Sequence, residues 1–251
     1  MTSAMTRIPE DLENQSLAFN AERLERVRHQ KMLYTMVSAA TGATALALGS
    51  IVAPTGLLLL GSTFDAVTVL NKYARIEKVI ELLLQEFGEL DVQVFPALET
   101  LTDEGSQKGY GQIDLYIRFP KKTQIFITIR SMGENTVVYN EAKGSLLIKR
   151  SRGRTSEVQP CPMTGLNENK QWLVRNRKAF DLSSNQVLKT VTAKVLVIWK
   201  NTKLADHREE LYSNIGKEKY LTLFKEGTKT FVVEQERLAN FVRDWLAHIN
   251  N

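Results

Sequence analysis

The chain carries a long stretch without charge near its start. Residues 32–64 hold no Asp, Glu, Lys or Arg, a run of 33 residues. The turn-forming sequence Ala-Pro-Thr-Gly at residues 53–56 divides it into two arms, 33–52 and 57–70. The first arm has 20 residues, enough for a helix of about 30 Å, the hydrocarbon thickness of a bilayer. The pattern therefore predicts an apolar α-helical hairpin over residues 32–71 that lies in a membrane.

The residues that flank this stretch indicate how it would sit in a bilayer. Basic side chains lie on both sides of it, and the positive-inside tendency keeps such flanks in the cytoplasm. They are Arg23, Arg26, Arg28 and Lys31 before it and Lys72, Arg75 and Lys78 after it. We therefore expect a membrane protein whose N-terminus and C-terminal domain are both cytoplasmic.

A different environment for the hairpin stays open, because the second arm is short and contains Asp65. A carboxylate at the centre of a bilayer costs roughly 2.5–3.5 kcal/mol on insertion scales. A hydrophobic hairpin buried inside an oligomer would avoid that cost. A helical hairpin buried in an oligomer is therefore the alternative interpretation of this stretch.

The pattern of apolar residues divides the chain into three parts. Residues 1–31 predict an amphipathic helix, 32–71 the hairpin, and 72–251 an α/β domain. Within the domain we expect a helix, an antiparallel meander, a second helix, a buried strand and a closing helix. The helices are expected at 73–90, 167–180, 205–214 and 235–250, the strands at 113–119, 124–130, 136–140, 145–150, 194–199 and 230–234, and loops at 91–110 and 151–166.

Positive charge is concentrated in residues 118–154. This block holds nine basic residues and two acids, a larger excess than the +5 of the whole chain. Such a block attracts nucleic-acid phosphates or anionic lipid head groups, although a solvated face has the same composition. The candidate polyanion-binding residues are Lys121, Lys122, Arg130, Lys149, Arg150, Arg152 and Arg154.

Cysteine and histidine give no sign of a metal centre. Cys161 is the single cysteine, which excludes an internal disulfide, and His29, His207 and His248 lie far apart. Zinc sites need cysteine or histidine ligands at characteristic short spacings. No cofactor is therefore expected from these residues.

Short motifs resemble one known family. Gly111-Gln112-Ile113-Asp114 opens an apolar strand, a hairpin follows, and Asn-Glu-Asn-Lys-Gln stands at residues 167–171. Together with the order of the secondary-structure elements, these motifs resemble the nuclease-related domain (NERD) of the PD-(D/E)xK, restriction-endonuclease-like superfamily. The resemblance covers roughly residues 75–250 and implies a restriction-endonuclease-like α/β core preceded by the hairpin.

The resemblance also implies a site, and this chain departs from it. In that family an Asp and the Glu of an E-x-K strand hold Mg²⁺, and the Lys helps the attacking water. Asp114 matches the Asp, Thr128 stands for the Glu, Arg130 for the Lys and Gln171 for a helix Gln, while Glu168 replaces a Pro. Thr128 is neutral, and the guanidinium of Arg130 stays protonated. We expect a vestigial site in which Arg130 pairs with Asp114 or with a bound phosphate.

Two other places in the sequence could supply the missing acid. Glu141-Ala142-Lys143 is an E-x-K sequence, but it stands before Gly144 where a hairpin must turn, so a solvated turn is the better interpretation. Glu86 and Glu89, late in the preceding helix, are the alternative metal ligands beside Asp114.

The functional expectation is a membrane-anchored protein whose nuclease-like cytosolic domain does not catalyse but binds nucleic acid or a protein partner. One alternative is a divergent Mg²⁺-dependent nuclease that uses Asp114 with Glu86 or Glu89, and magnesium is expected only in that case. The other is a structural or assembly subunit of a membrane complex, with the basic block against lipid.

Overall fold

The computed structural model describes residues 10–49, 53–98, 113–120, 123–150, 153–180 and 182–250. The side chains of residues 10–16, 41–49, 53–65, 97–98, 165, 167–170, 179 and 250 lie outside this description. The chain divides into two compact units, residues 1–88 and 89–251. Helices and mixed β-sheets make up the described residues, which confirms the expected α/β class.

The first unit is a pair of long helices, α1 (Glu10–Gly49) and α2 (Ala53–Phe87). Arg28 pairs with Glu81 at 3.0 Å, and further along α1 Tyr34 stacks on Tyr73 at 5.8 Å. As the residue number rises along α1, the number of its contact partner on α2 falls. The two helices therefore run antiparallel. Each is continuous across the expected boundaries near residues 31 and 72, because no proline or glycine interrupts the chain there.

The turn of the hairpin is shifted from its expected place. Residues 53–56 were expected to turn, but α2 begins at Ala53 and holds Pro54 in its first turn. Proline is well tolerated there, since the first amides of a helix have no partner within it. The connection over residues 50–52 lies outside the described residues.

Among the residues that the structure describes, we find no helix long and apolar enough to cross a membrane. Much of the predicted membrane hairpin, residues 41–65, has its side chains outside those residues.

A seven-stranded mixed sheet forms the centre of the second unit. Its order is β1-β2-β3-β7-β11-β10-β9, with β3, β7 and β11 parallel and the other neighbours antiparallel. The strands are β1 (Gln93–Leu98), β2 (Ile113–Phe119), β3 (Thr123–Arg130), β7 (Val191–Ile198), β9 (Tyr212–Ile215), β10 (Glu218–Lys225) and β11 (Thr228–Glu234). The three parallel strands contain buried apolar runs, at residues 125–127 of β3, 195–198 of β7 and 231–233 of β11, as expected for strands covered on both faces.

Helices cover both faces of this sheet. Helix α3 (Pro162–Asn176) continues as a 3₁₀ turn (Arg177–Phe180), and Phe180 contacts Tyr116 edge to face at 5.5 Å. Helix α5 (Leu238–Asn250) places Phe241 5.2 Å from Phe231. The strand register puts Tyr116 and Phe231 on opposite faces, so this unit has three layers.

A smaller sheet has the order β6-β5-β4-β8. Its strands are β4 (Thr136–Asn140), β5 (Ser145–Lys149), β6 (Thr155–Glu157) and β8 (Lys203–Leu204). Residues 202–207 follow β4 closely: the Lys203 and Ala205 amides donate to the carbonyls of Asn135 and Val137, and Nε2 of His207 accepts from the Tyr139 amide at 3.0 Å. This segment therefore ties the small sheet to the chain that follows β7.

Several element predictions are wrong. The single meander is instead divided between two sheets, β2–β3 in the large one and β4–β5 in the small one. The expected loop at 91–110 contains β1, and the loop at 151–166 contains β6 and the start of α3. The helix expected at 205–214 is a 3₁₀ turn (Glu209–Leu211) followed by β9. Strand β10 and the short helix α4 (Ser184–Lys189) were not predicted.

Candidate functional site

Asp114 lies at the start of β2 and is 1% exposed. Its Oδ2 accepts a hydrogen bond from the Ile129 amide at 2.7 Å and one from Nη1 of Arg130 at 3.1 Å. Burying a carboxylate is costly unless donors and an opposite charge compensate it. The neighbouring strand β3 supplies both, so Asp114 joins the two strands by an ion pair.

Arg130 is held in place by its own strand as well. The same Nη1 donates to the Ile129 carbonyl at 2.9 Å, and the Arg130 side chain is 27% exposed. The expectation that Arg130 pairs with Asp114 is therefore confirmed. Its guanidinium lies beside Oδ2 of Asp114, one of the two carboxylate oxygens that could hold a metal ion.

Thr128 stands across the strand pair from Asp114. Leu115 pairs with Ile127, and one step further along this antiparallel register Asp114 faces Thr128. Cross-strand neighbours share a face, so the side chains at these two positions lie on the same side of the sheet. Thr128 is 2% exposed and brings no charge.

These residues do not fit Mg²⁺, which prefers hard, negatively charged oxygen ligands in octahedral geometry. The strand pair offers one carboxylate, and a cation beside its Oδ2 would lie next to the guanidinium of Arg130. Within the described ranges, no group of three or more His, Cys, Asp or Glu side chains could hold a metal ion. No metal-dependent step can be derived from this arrangement.

The other predicted site residues differ from Asp114 in their exposure to solvent. Glu86 and Glu89 are both exposed, whereas Asp114 is buried. Gln171 is exposed on α3, and the side chain of Glu168 lies outside the described residues. The roles predicted for these residues stay predictions.

The E-x-K sequence at residues 141–143 is a solvated turn, as expected. Glu141 and Lys143 are exposed in the connection between β4 and β5, and Glu141 pairs with Arg208. Gly144 completes the turn with a φ of 55°, a conformation that glycine adopts without strain.

An aromatic cluster fills the face that carries Asp114. Tyr116 stacks on Phe126 at 5.1 Å, and its hydroxyl lies 3.1 Å from Oε1 of Gln124. Burial raises the pKa of Tyr116 to about 12, because the phenolate would lose its hydration. The cluster packs the sheet against Phe180 and leaves the Asp114 side enclosed.

The structure describes four of the seven predicted polyanion-binding residues. Arg130 is engaged with Asp114, and Lys121, Lys122 and Arg152 lie outside the described residues. Lys149, Arg150 and Arg154 are exposed at the connection between β5 and β6.

One basic residue near them was not predicted. Lys203 on β8 is exposed and pairs with Thr136, which also pairs with Lys149 on its other side. β8 has two residues, too few for any periodicity, so the sequence contains no signal that could have placed Lys203 here.

Comparisons with family models, with curated proteins and with solved structures gave no match for this chain. The resemblance to the nuclease-related domain therefore rests on the residues themselves.

Proposed function

We propose that this protein is a membrane-anchored binding protein whose α/β domain is a nuclease-like core that does not cleave nucleic acid. Helix α2, the antiparallel strands β1–β3, helix α3 and the strand β7, parallel to β3, occur in this order along the chain, with the small-sheet strands β4–β6 between β3 and α3. A helix, antiparallel strands, a helix and a strand is also the order that the resemblance implies. One observation carries the proposal: Asp114, the matching acid, is buried in an ion pair with Arg130.

The chemistry follows from that pair. A nuclease of the resembled type needs two carboxylates to offset a divalent cation and a residue that can assist water. Here a neutral Thr128 and a permanently charged Arg130 stand at the other two positions. The pair stabilises the strands and leaves the domain to act by binding.

Anchoring is supported by the order of side chains along the hairpin. Arg28 bonds to Glu25, Glu77 and Glu81 near the base, and the stacked pair of Tyr34 and Tyr73 follows. Met32 and Leu33 are exposed level with that pair, and Met36, Val37 and Val67 are exposed beyond it, towards the connection between the two helices. Charged, then aromatic, then apolar is the sequence of layers at a membrane interface.

The test of the catalytic half is a cleavage assay on the full-length protein with duplex DNA, single-stranded DNA and RNA, in Mg²⁺ and in Mn²⁺. The parent should leave all three substrates intact. The restored variant, Thr128→Glu with Arg130→Lys, should gain Mn²⁺ binding, seen as metal-dependent thermal stabilisation that the parent lacks. Parent cleavage that needs metal and disappears in Asp114→Ala would refute the proposal.

The test of the anchor is fractionation of the full-length protein. It should remain with membranes after washing with high salt and be released by detergent. Recovery of the intact protein as a detergent-free monomer in the soluble fraction would refute the anchor without affecting the result of the cleavage assay.

A further inference from the structure

The small sheet turns one face to solvent, and two lysines lie in one row across it. The register pairs Thr155 with Lys149, Lys149 with Thr136, and Thr136 with Lys203. Directly paired residues point to the same side. With neighbouring strands about 4.8 Å apart, the two lysines are roughly 10 Å from each other. We name this row, Thr155, Lys149, Thr136 and Lys203, the lysine face.

Two arginines lie at the rim of this face. The Arg150 amide donates to the Arg154 carbonyl at 3.0 Å, which sets these residues opposite each other one step beyond the pair of Lys149 and Thr155, where β5 passes into β6. Because successive side chains alternate between the two sides of a strand, the arginines flank the end of the lysine face and do not belong to its row. Gly153 has a φ of 76° and allows the chain to reverse there. Arg150 and Arg154 are exposed, as are Lys149 and Lys203.

These four cations have no carboxylate partner among the described residues, in contrast to other basic residues of the same unit. Arg208 pairs with Glu141, and Arg237 pairs with Glu218 at 2.7 Å. One acid, Glu157, shares the side of the lysine face, since it pairs with Leu147 two residues from Lys149. The charge that remains is positive and open to an anionic partner.

The face has no aromatic side chain with which to stack a base. Its remaining strand positions are Ser145, Leu147, Val138 and Asn140, and Tyr139 lies on the opposite, buried face. Proteins that bind single strands stack bases on aromatic rings, whereas proteins that bind duplexes without sequence preference contact the phosphates. The large apolar side chains that strengthen binding to lipid surfaces are also not exposed on these strands.

We infer that the lysine face, with Arg150 and Arg154, binds the phosphate backbone of double-stranded nucleic acid without reading its sequence. The inference rests on the proposed function, in which the domain binds rather than cleaves. Lys149 and Lys203 contact phosphates from the flat sheet, the hydroxyls of Thr136 and Thr155 donate hydrogen bonds between them, and the arginines reach phosphates at the rim.

The test is fluorescence anisotropy of the full-length protein in non-ionic detergent and EDTA, with two short duplexes of unrelated sequence. Four neutralised phosphates predict a salt slope of about −3.6, so affinity should fall about 150-fold between 50 and 200 mM salt. The variant Lys149→Gln with Lys203→Gln should retain half of that slope, so its affinity should fall only about 12-fold over the same range of salt.

A matched variant controls for net charge. Lys189→Gln with Lys217→Gln removes two exposed lysines from the end of α4 and from the turn between β9 and β10. It should bind with the parent's slope. Equal slopes for the parent and the Lys149/Lys203 variant would overturn the inference.

Two further results would also overturn it. Tighter binding of single strands than of duplexes would indicate a stacking surface elsewhere, and displacement of the duplex by phosphatidylserine added to the micelles would assign the face to lipid head groups. Because EDTA removes divalent metal, this assay is independent of cleavage. Metal-dependent cleavage together with normal duplex binding would refute only the proposed function. If the protein neither cleaved nor bound the duplexes, only this inference would be refuted.

Discussion

The ion pair between Asp114 and Arg130 predicts how stability responds to mutation. Arg130→Met keeps most of the side-chain volume but removes the charge that compensates a carboxylate of 1% exposure. Breaking a buried pair in this way costs about 3–5 kcal/mol, and an exposed pair contributes about 0–1 kcal/mol. Because the Arg130 side chain is 27% exposed, we expect an intermediate loss of about 2 kcal/mol in the free energy of unfolding.

Asp114→Asn should cost less, about 1 kcal/mol, because the amide oxygen still accepts from the Ile129 N–H and Arg130 can turn to water. In the double variant, Asp114→Asn with Arg130→Met, no charge is left unpaired. Its loss should be smaller than the sum of the single losses by about 1–2 kcal/mol.

Thermal unfolding followed by tryptophan fluorescence measures these losses, since Trp172, Trp199 and Trp245 all lie in the unit that holds the pair. A loss of 2 kcal/mol corresponds to a melting temperature lower by about 4–8 °C in a protein of this size. Arg208→Met is the matched control: its pair with Glu141 is exposed, so the variant should melt close to the temperature of the parent.

The direction of the stability change in Asp114→Asn distinguishes a catalytic acid from an acid that joins two strands. An acid kept unpaired for catalysis is a strained feature whose removal commonly stabilises the protein and abolishes activity. An acid that joins two strands should destabilise it when removed. A higher melting temperature for Asp114→Asn, or an Arg130→Met variant as stable as the parent, would refute the structural role.

Three further predictions follow from other parts of the fold. Burial holds the pKa of Tyr116 near 12 rather than 10.0, so the stability that this side chain contributes is present below pH 10 and lost as pH rises towards 12. Tyr116→Phe should therefore reduce the loss of stability at alkaline pH in denaturant titrations. An unchanged pH dependence in this variant would contradict the prediction. Ser183 caps α4 in a capping box with Gln186, so Ser183→Ala should cost about 1 kcal/mol, whereas Ser184→Ala beside it should change little in the same melts. Replacing residues 32–71 by a short Gly-Ser linker should leave a folded protein that no longer sediments with membranes; continued sedimentation would place the membrane contact elsewhere.

Much of the large sheet could be predicted from sequence because its strands are long and apolar. β2 has the predicted bounds, β3 begins one residue earlier than predicted, and β7 begins three residues earlier and ends one residue earlier. β1 was missed because Pro96 and a polar Gln93 interrupt its pattern. β10 was missed because it begins with the charged pair Glu218-Lys219, although its later residues are buried.

The division into two sheets could not be predicted. The pairs β2–β3 and β4–β5 are both antiparallel and joined by short connections. The sequence of residues 131–135 gives no local sign that the chain leaves one sheet for another. The decisive contacts are long-range ones, from β3 to β7 and from β4 to β8. Sequence periodicity reports burial of a strand, not the identity of its neighbour.

The candidate site was predicted in part, because the sequence reports local contacts and not long-range ones. Asp114 and Thr128 face each other because a short hairpin fixes their register, which is local. The lysine face joins Lys149 to Lys203 through Thr136, and the connection between β4 and β8 passes through α3, α4 and β7. No spacing along the chain encodes that proximity.

The way residues 202–207 close the small sheet has a consequence for synthesis on the ribosome. β4 is made well before β8, and about 60 residues separate them, so at 5–20 residues per second the edge of β4 waits roughly 3–12 s for its partner. During that interval the amide of Tyr139 and the carbonyls of Asn135 and Val137 are exposed on an open strand edge. Such an edge pairs readily with other nascent chains. Misassembly during translation is therefore expected to begin at β4, and slower translation between residues 140 and 203 should increase it.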